Sequence, residues 1–425
     1  MQPCSNLPIG HKGGFAAGNA GMARRFASRD VNSAVAIARK AGHFHAMRIR
    51  SLAAILGLWI FAGVLRAEEM RAAWVASVYN LDFPSKPGLS ADAQKAQILR
   101  ILDVAKSLRL NALMVQVRPE CDALYESGIE PWSRFLTGAQ GRSPGYDPLA
   151  FFIAEGRKRG IAIHAWINPY RAATNAGDER SGKHVASRLA GSVRRVGRAL
   201  WLDPGSPEVQ DHVVAVVRDL VHRYAVAGVH LDDYFYPYPD TYSGSFPDSA
   251  TYARYVAKGG KLPKADWRRN NVNTMVRRLA DATHSRGGCV FGISPFGIYT
   301  KGQPSDVKAG LDQLNELYSD PVAWLQQGWV DYLAPQLYWK DGGPQSFSAL
   351  LRWWRDPGVN TRGIPIYPGI DLERLGSDGW PAGEIARELD LEKSIGPRHG
   401  GGFMLWNFSP LLKNTKGIRP VVAGS

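Results

Sequence analysis

Cysteine is scarce in this chain, at three among 425 residues. No CxxC and no Cys/His grouping at metal-ligand spacing occurs, which excludes a zinc-finger-type site and a disulfide framework. No metal or other cofactor is therefore expected. Cys121 and Cys289, far apart in sequence, read as small buried apolar side chains. A glycine-rich phosphate loop after the first apolar strand is also missing, which argues against a dinucleotide or nucleotide fold. Acidic residues are nearly absent from the first 67 positions, where nine Lys or Arg face one Asp, a net of +8. The formal charge of the whole chain is +14, so the remaining residues carry +6. A basic excess concentrated at one end of a chain does not make a nucleic-acid surface, and no nucleic-acid partner is expected. Finally, no apolar run reaches the roughly twenty residues that a spanning helix needs.

The longest apolar run is nonetheless informative. Met47-Arg-Ile-Arg50 precedes an apolar stretch from Ser51 to Leu65, followed by Arg66-Ala67. A basic start, a short apolar centre and a small residue are the pattern of a secretory signal. Residues 47–67 are thus expected to be a signal peptide, with 1–46 an upstream extension before the true start. An exported protein, periplasmic or extracellular, follows, with no stable membrane insertion once the signal is cut. An uncleaved N-terminal anchor is the alternative.

After residue 70 apolar, β-branched runs alternate with helical periodicity. The runs are Ala72–Tyr79, Ala112–Val117, Ile161–Ile167, Val229–Asp232, Val290–Ser294, Tyr332–Leu337, Ile364–Ile370 and Gly402–Trp406. Between the first two, Ser90 is a candidate N-cap, and Ile98, Leu102, Ala105 and Leu108 share one helical face. Ser206-Pro-Glu announces another helix by the same logic. Continuous apolar strands alternating with helices imply a parallel sheet covered on both faces. Eight such units predict an α/β fold, a (β/α)8 TIM barrel with enlarged βα loops over residues 70–412. Residues 413–425 read as a C-terminal tail, and an open doubly wound sheet is the runner-up.

In such a barrel function sits where the strands end. The ends carry Gln116, Arg118 and Glu120; Trp166, Asn168 and Tyr170; His230, Asp232, Asp233, Tyr234 and Tyr236; then Gln336, Tyr338, Trp339, Asp371, Trp406 and Asn407. Flat rings stack on sugars, amides and Arg bind hydroxyls, and a pair of carboxylates breaks glycosidic bonds. Asp232 is the first candidate for nucleophile or base, with His230 on its face as a donor that holds it ionised. Its partner is Glu120 on geometry, with Asp233 and Asp371 as the other choices. The remaining residues named are candidate substrate contacts. Arg118 could instead pair with Glu120, and Asp371 could be a helix cap. Trp353 and Trp354 read as outer-layer packing. The long basic connection 171–198, with Arg188, Arg194, Arg195 and Arg198, is expected to form a lid or rim.

Several stretches together resemble the bacterial glycosyl-hydrolase-like family ten. They are Arg71-Ala-Ala-Trp-Val75, Gln116-Val-Arg-Pro119, His164-Ala-Trp-Ile-Asn-Pro-Tyr-Arg171 and Leu202-Asp-Pro-Gly205. His230-Leu-Asp-Asp-Tyr-Phe-Tyr-Pro237, Gly292-Ile-Ser-Pro-Phe-Gly297 and Ala334-Pro-Gln-Leu-Tyr-Trp339 complete the set. The resemblance implies a (β/α)8 barrel, export, and a polysaccharide as the partner to be hydrolysed. It points to peptidoglycan glycan strands lacking stem peptides, with another bacterial polysaccharide as alternative. It also places the acidic pair at the end of strand four in the active site. Some relatives are lipoproteins, and no Cys follows the apolar run here to carry a lipid. A non-catalytic carbohydrate-binding barrel and a metal-dependent esterase are the readings from other classes.

Overall fold

The computed structural model describes residues 69–396 and 400–425; the stretch read as extension and signal lies outside them. Eight parallel strands form the centre: β1 Met70–Val75, β2 Ala112–Arg118, β3 Ala162–Ile167, β4 Gly228–Leu231, β5 Val290–Ile293, β6 Tyr332–Leu333, β7 Gly369–Asp371 and β8 Gly402–Trp406. Hydrogen bonding runs β7-β8-β1-β2-β3-β4-β5-β6. Parallel bridges Leu333–Ile366 and Gln336–Gly369 join β6 to β7 and close the ring. The expected (β/α)8 barrel is therefore what the chain forms. The helices that cover it include α1 Ala91–Ser107, α2 Pro148–Arg159, α3 Pro207–Arg223, α4 Lys264–His284, α5 Pro321–Gln327, α6 Phe347–Arg355 and α7 Ala382–Ile395.

Side chains alternate along each strand and divide the interior into two layers. Ala72, Trp74, Met114, Trp166, Tyr332, Ala334, Tyr367 and Met404 fill the barrel itself. Their neighbours Ala73, Val75, Leu113, Val115, Ile163 and Val229 face the helices and join the outer core. Gly292 has to be glycine in this arrangement: a Cβ there would lie 1.9 Å from the Tyr332 ring. Ser90 caps α1 as expected, its side chain accepting from the Ala93 N–H. Ser206 precedes α3 but does not cap it; its hydroxyl meets that of Ser192 at 2.8 Å. Cys121 and Cys289 are buried and unpaired. Trp354 is fully buried in the outer core, with half-buried Trp353 packed beside it.

The connections after the strands are long. The one after β3 is an ordered antiparallel sheet of three strands, Arg171–Ala173, Val193–Val196 and Ala199–Leu202. The stretch 413–425, read as a tail, holds helix α8 Ile418–Gly424, which buries Ile418 and Val422 against the barrel. Among the described residues no helix is long and apolar enough to cross a membrane.

Candidate active site

A cavity of about 290 Å³ opens at the carboxyl ends of the strands. Alternation puts Trp74, Trp166 and Trp406 into it from β1, β3 and β8, with indole centroids 6.2 Å apart for Trp74–Trp406 and 5.9 Å for Trp166–Trp406. Asp232 and Asp233, each 4% exposed, line its wall directly beyond β4. Asp232 continues the inward face that His230 occupies. Its Oδ2 accepts from Trp166 Nε1 at 3.0 Å, and Asn168 Nδ2 lies 3.1–3.2 Å from both oxygens. The backbone N–H of Tyr234 donates to Oδ1 at 3.2 Å. Burial pushes the Asp232 carboxyl up, while the Arg171 charge and these donors pull it down; the net direction is upward.

Asp233 has a different shell. The Tyr238 hydroxyl donates to its Oδ2. Burial first, then the neighbouring charge of Asp232, pushes this carboxyl up to about 6. Two adjacent carboxyls thus titrate differently, one surrounded by donors and the other beside a like charge. Asp232 and Asp233 are the carboxylates lining the cavity.

The sequence-predicted residues divide into three groups. Gln116, Trp166, Asp232, Asp233, Tyr234, Gln336, Tyr338 and Trp406 line the cavity together. Gln116 accepts through Oε1 from the N–H groups of Ser77 and Val78, and its buried Nε2 has no partner among the described residues. A second group stands behind this wall. Asn168 orients Asp232, and Asn407 donates to Glu373 at 2.9 Å. Asp371 pairs with Arg374 at 3.1 Å, and Trp339 packs edge-on against Phe296.

The third group needs correction. Glu120 does not partner Asp232: it pairs with Arg134 at 2.7 Å and accepts from the Thr174 N–H. Burial pushes its carboxyl up, yet those contacts outweigh it and hold the group below the usual range. Arg118 pairs with Glu130, not Glu120, through two bonds of 2.6 and 2.7 Å. The cause of both errors is a bulge between Gln116 and Arg118, which breaks the alternation expected beyond Gln116. His230 does not touch Asp232 either. It is enclosed by Trp74 Nε1 at 2.9 Å, the Tyr332 hydroxyl at 3.0 Å and Ser294 at 3.2 Å, and burial holds it neutral. Tyr170 and Tyr236 are fully buried core, the latter against Phe246 and Tyr318.

Trp74, Tyr79, Leu81, Arg171, Tyr238 and Ser294 line the cavity but were not among the site residues predicted. Trp74 and Ser294 were legible, since each sits at an inward position of its strand. Tyr79 and Leu81, 55% and 40% exposed, reach the rim through a loop whose path carries no period.

The comparisons agree with this architecture. The family model for Glycosyl hydrolase-like 10 matches residues 69–379. Glycosyl hydrolase YngK of Bacillus subtilis (strain 168) is 37% identical over 377 residues, 86% of this chain and 73% of the relative. Glycosyl hydrolase DigH of Escherichia coli (strain K12) is 35% identical over 363 residues, 77% of this chain and 81% of the relative. Among solved structures, the PgaB (BpsB) glycoside hydrolase domain from Bordetella bronchiseptica superposes with a TM-score of 0.52 at 14% identity, covering 84% of this chain and 99% of that one. The endo-1,4-beta-mannanase from Rhizomucor miehei gives 0.52 at 9% identity, covering 84% and 96%. These two likenesses concern the fold alone. By family match and by identity to its relatives, the chain belongs to the Glycosyl hydrolase-like 10 family, and its function is of the glycosidase type.

Proposed function

We propose that this protein is an exported hydrolase that cleaves glycosidic bonds in peptidoglycan glycan strands lacking stem peptides. The observation that carries the hydrolytic reading is the Asp232–Asp233 pair standing over three indoles in one cavity. The indoles give a sugar ring flat apolar faces, and the unpartnered Nε2 of Gln116 offers a donor for a hydroxyl. Asp233, with its raised pKa, is the proton donor to the departing glycosidic oxygen. Asp232, held by Trp166, Asn168 and the Tyr234 N–H, is the negative charge that acts as nucleophile or base as the C1–O bond breaks. Export is supported by the basic-then-apolar stretch from Met47 to Leu65. The names of the family and of both curated relatives support the reaction class.

The test is a digest of intact and amidase-stripped peptidoglycan by the purified protein, read by mass spectrometry. Release of reducing sugar fragments from stripped strands, and none by Asp232→Asn, is the expected result. Binding to the strands without release by the wild type would turn the reading into a carbohydrate-binding barrel.

A further inference from the structure

Beside the cavity lies a second groove of about 360 Å³. Tyr79, Arg171, Tyr234 and Tyr238 line both, so the two form one continuous trough. The groove walls hold two guanidinium groups, Arg171 and Arg198, and no carboxylate. Arg171 is only 8% exposed. Its Nε donates to the Pro119 carbonyl at 3.0 Å, and its guanidinium lies 5.3 Å from the centre of the Tyr234 ring. Its two terminal nitrogens have no hydrogen-bond partner or ion pair among the described residues. Asp232 feels its charge but makes no ion pair with it, and the Asp232 oxygens are already met by other donors.

The four arginines of the connection after β3 separate in the same way. Arg188 reaches His212, Arg194 pairs with Asp203 at 2.8 Å, and Arg195 donates to the Gly197 carbonyl. Arg198, at the hairpin turn, has no such side-chain partner among the described residues and lines the groove. Arg171 lines both parts of the trough with its terminal nitrogens free, and Arg198 is exposed at the groove edge, so both guanidinium groups are open to an incoming anion. Guanidinium groups match the two oxygens of a carboxylate, and the groove rings suit a sugar.

We propose that this groove is a subsite for a sugar residue bearing a free carboxylate, adjoining the point of cleavage. The inference rests on the glycosidase reading and deepens it. In peptidoglycan the muramic acid lactyl group is an amide while the stem peptide is attached, and a carboxylate once it is removed. Arg171 and Arg198 would therefore recognise stripped strands by the charge that stripping exposes. A uronic acid presents the same chemistry from another source.

The experiment compares steady-state kinetics on stripped strands and on the same strands with carboxyls reduced to alcohols. Reduction is expected to raise the wild-type KM about three- to fivefold with kcat unchanged, as for a partly exposed ion pair. Arg198→Ala should show part of that rise on native strands and a smaller further rise on reduced ones than the wild type shows, because Arg171 remains in the groove, and Arg198→Lys should recover most of the loss. Equal wild-type KM on both materials, or an Arg198→Ala defect that is the same on both, overturns the proposal. Competition by a muramic-acid disaccharide but not by a glucuronate oligomer assigns the lactyl source; the reverse assigns a uronate. If the wild type cuts neither material, the reaction reading fails. Calorimetric binding of the same two competitors to wild type and Arg198→Ala then decides the groove: carboxylate- and Arg198-dependent binding upholds it, and its absence overturns it.

Discussion

Asp233 and Asp232 are neighbours in sequence, and their separation of roles depends on which groups surround each carboxyl. Asp233 retains its proton up to about pH 6 because burial and the adjacent Asp232 charge both disfavour ionisation. As proton donor it is active below that pKa, so kcat/KM should fall as pH rises through about 6. Tyr238 donates to the ionised form and therefore lowers this pKa. Tyr238→Phe should move the alkaline limb to higher pH, read directly from the pH–rate profile; an unmoved limb or a shift to lower pH would remove Asp233 from the donor role. For Asp232→Asn the expected loss is on the order of 10³-fold in kcat. The thermal midpoint should change little, because loss of the buried charge offsets the contact of the new NH2 with one of the N–H donors that met the carboxylate. A mutant that keeps its turnover would take Asp232 out of the reaction.

At the scale of elements, α7 carries a group that the fold tolerates at a cost. Glu388 is fully buried, and neither of its oxygens has a partner among the described residues. Burial, then Glu384, Asp371 and Asp341, raise its pKa well above 4.5. The folded protein holds this proton when the unfolded chain has lost it, so stability falls as pH rises above about 4.5. Glu388→Gln should melt higher than wild type at pH 7–8, with the difference closing as pH approaches 4.5; parallel melting curves would contradict the assignment. The same scale shows what the sequence made legible. All eight strand runs correspond to barrel strands, since a doubly covered parallel strand has to be apolar throughout. Their lengths were less readable. β6 and β7 shrink to two and three residues because Pro335, Pro365 and Pro368 have no N–H for the ladder. Alternation located Asp232, Trp166 and Gln116 correctly. It misplaced Glu120 and Arg118 because a bulge shifts the face without leaving a period in the sequence. Arg171 and Tyr238 enter the site from connections, where no period applies.

Across the whole molecule, stability and chemistry occupy opposite ends of the barrel. Arg71 begins β1 at the end away from the cavity, and it is 7% exposed. Its guanidinium donates to the carbonyls of Arg109 at 3.1 Å, Val422 at 2.7 Å and Ser425 at 2.7 Å. The first strand is thereby tied to the last helix, and Phe403 of β8 lies under the guanidinium at 4.9 Å. Removing residues 418–425 would take away two of those acceptors and uncover the surface that Ile418 and Val422 bury. An unsatisfied buried donor costs about 1–3 kcal/mol, and each buried aliphatic side chain about 1.5–3 kcal/mol. Truncation also lets water reach the freed Arg71 donors, so the two buried side chains set the scale, and the truncated protein should lose on the order of 3–6 kcal/mol of unfolding free energy in urea. Its kcat at low temperature, corrected for the folded fraction, should match the full chain, because no cavity residue belongs to this floor. Loss of kcat with an unchanged urea midpoint would mean that the floor and the mouth are coupled, contrary to this division of the barrel.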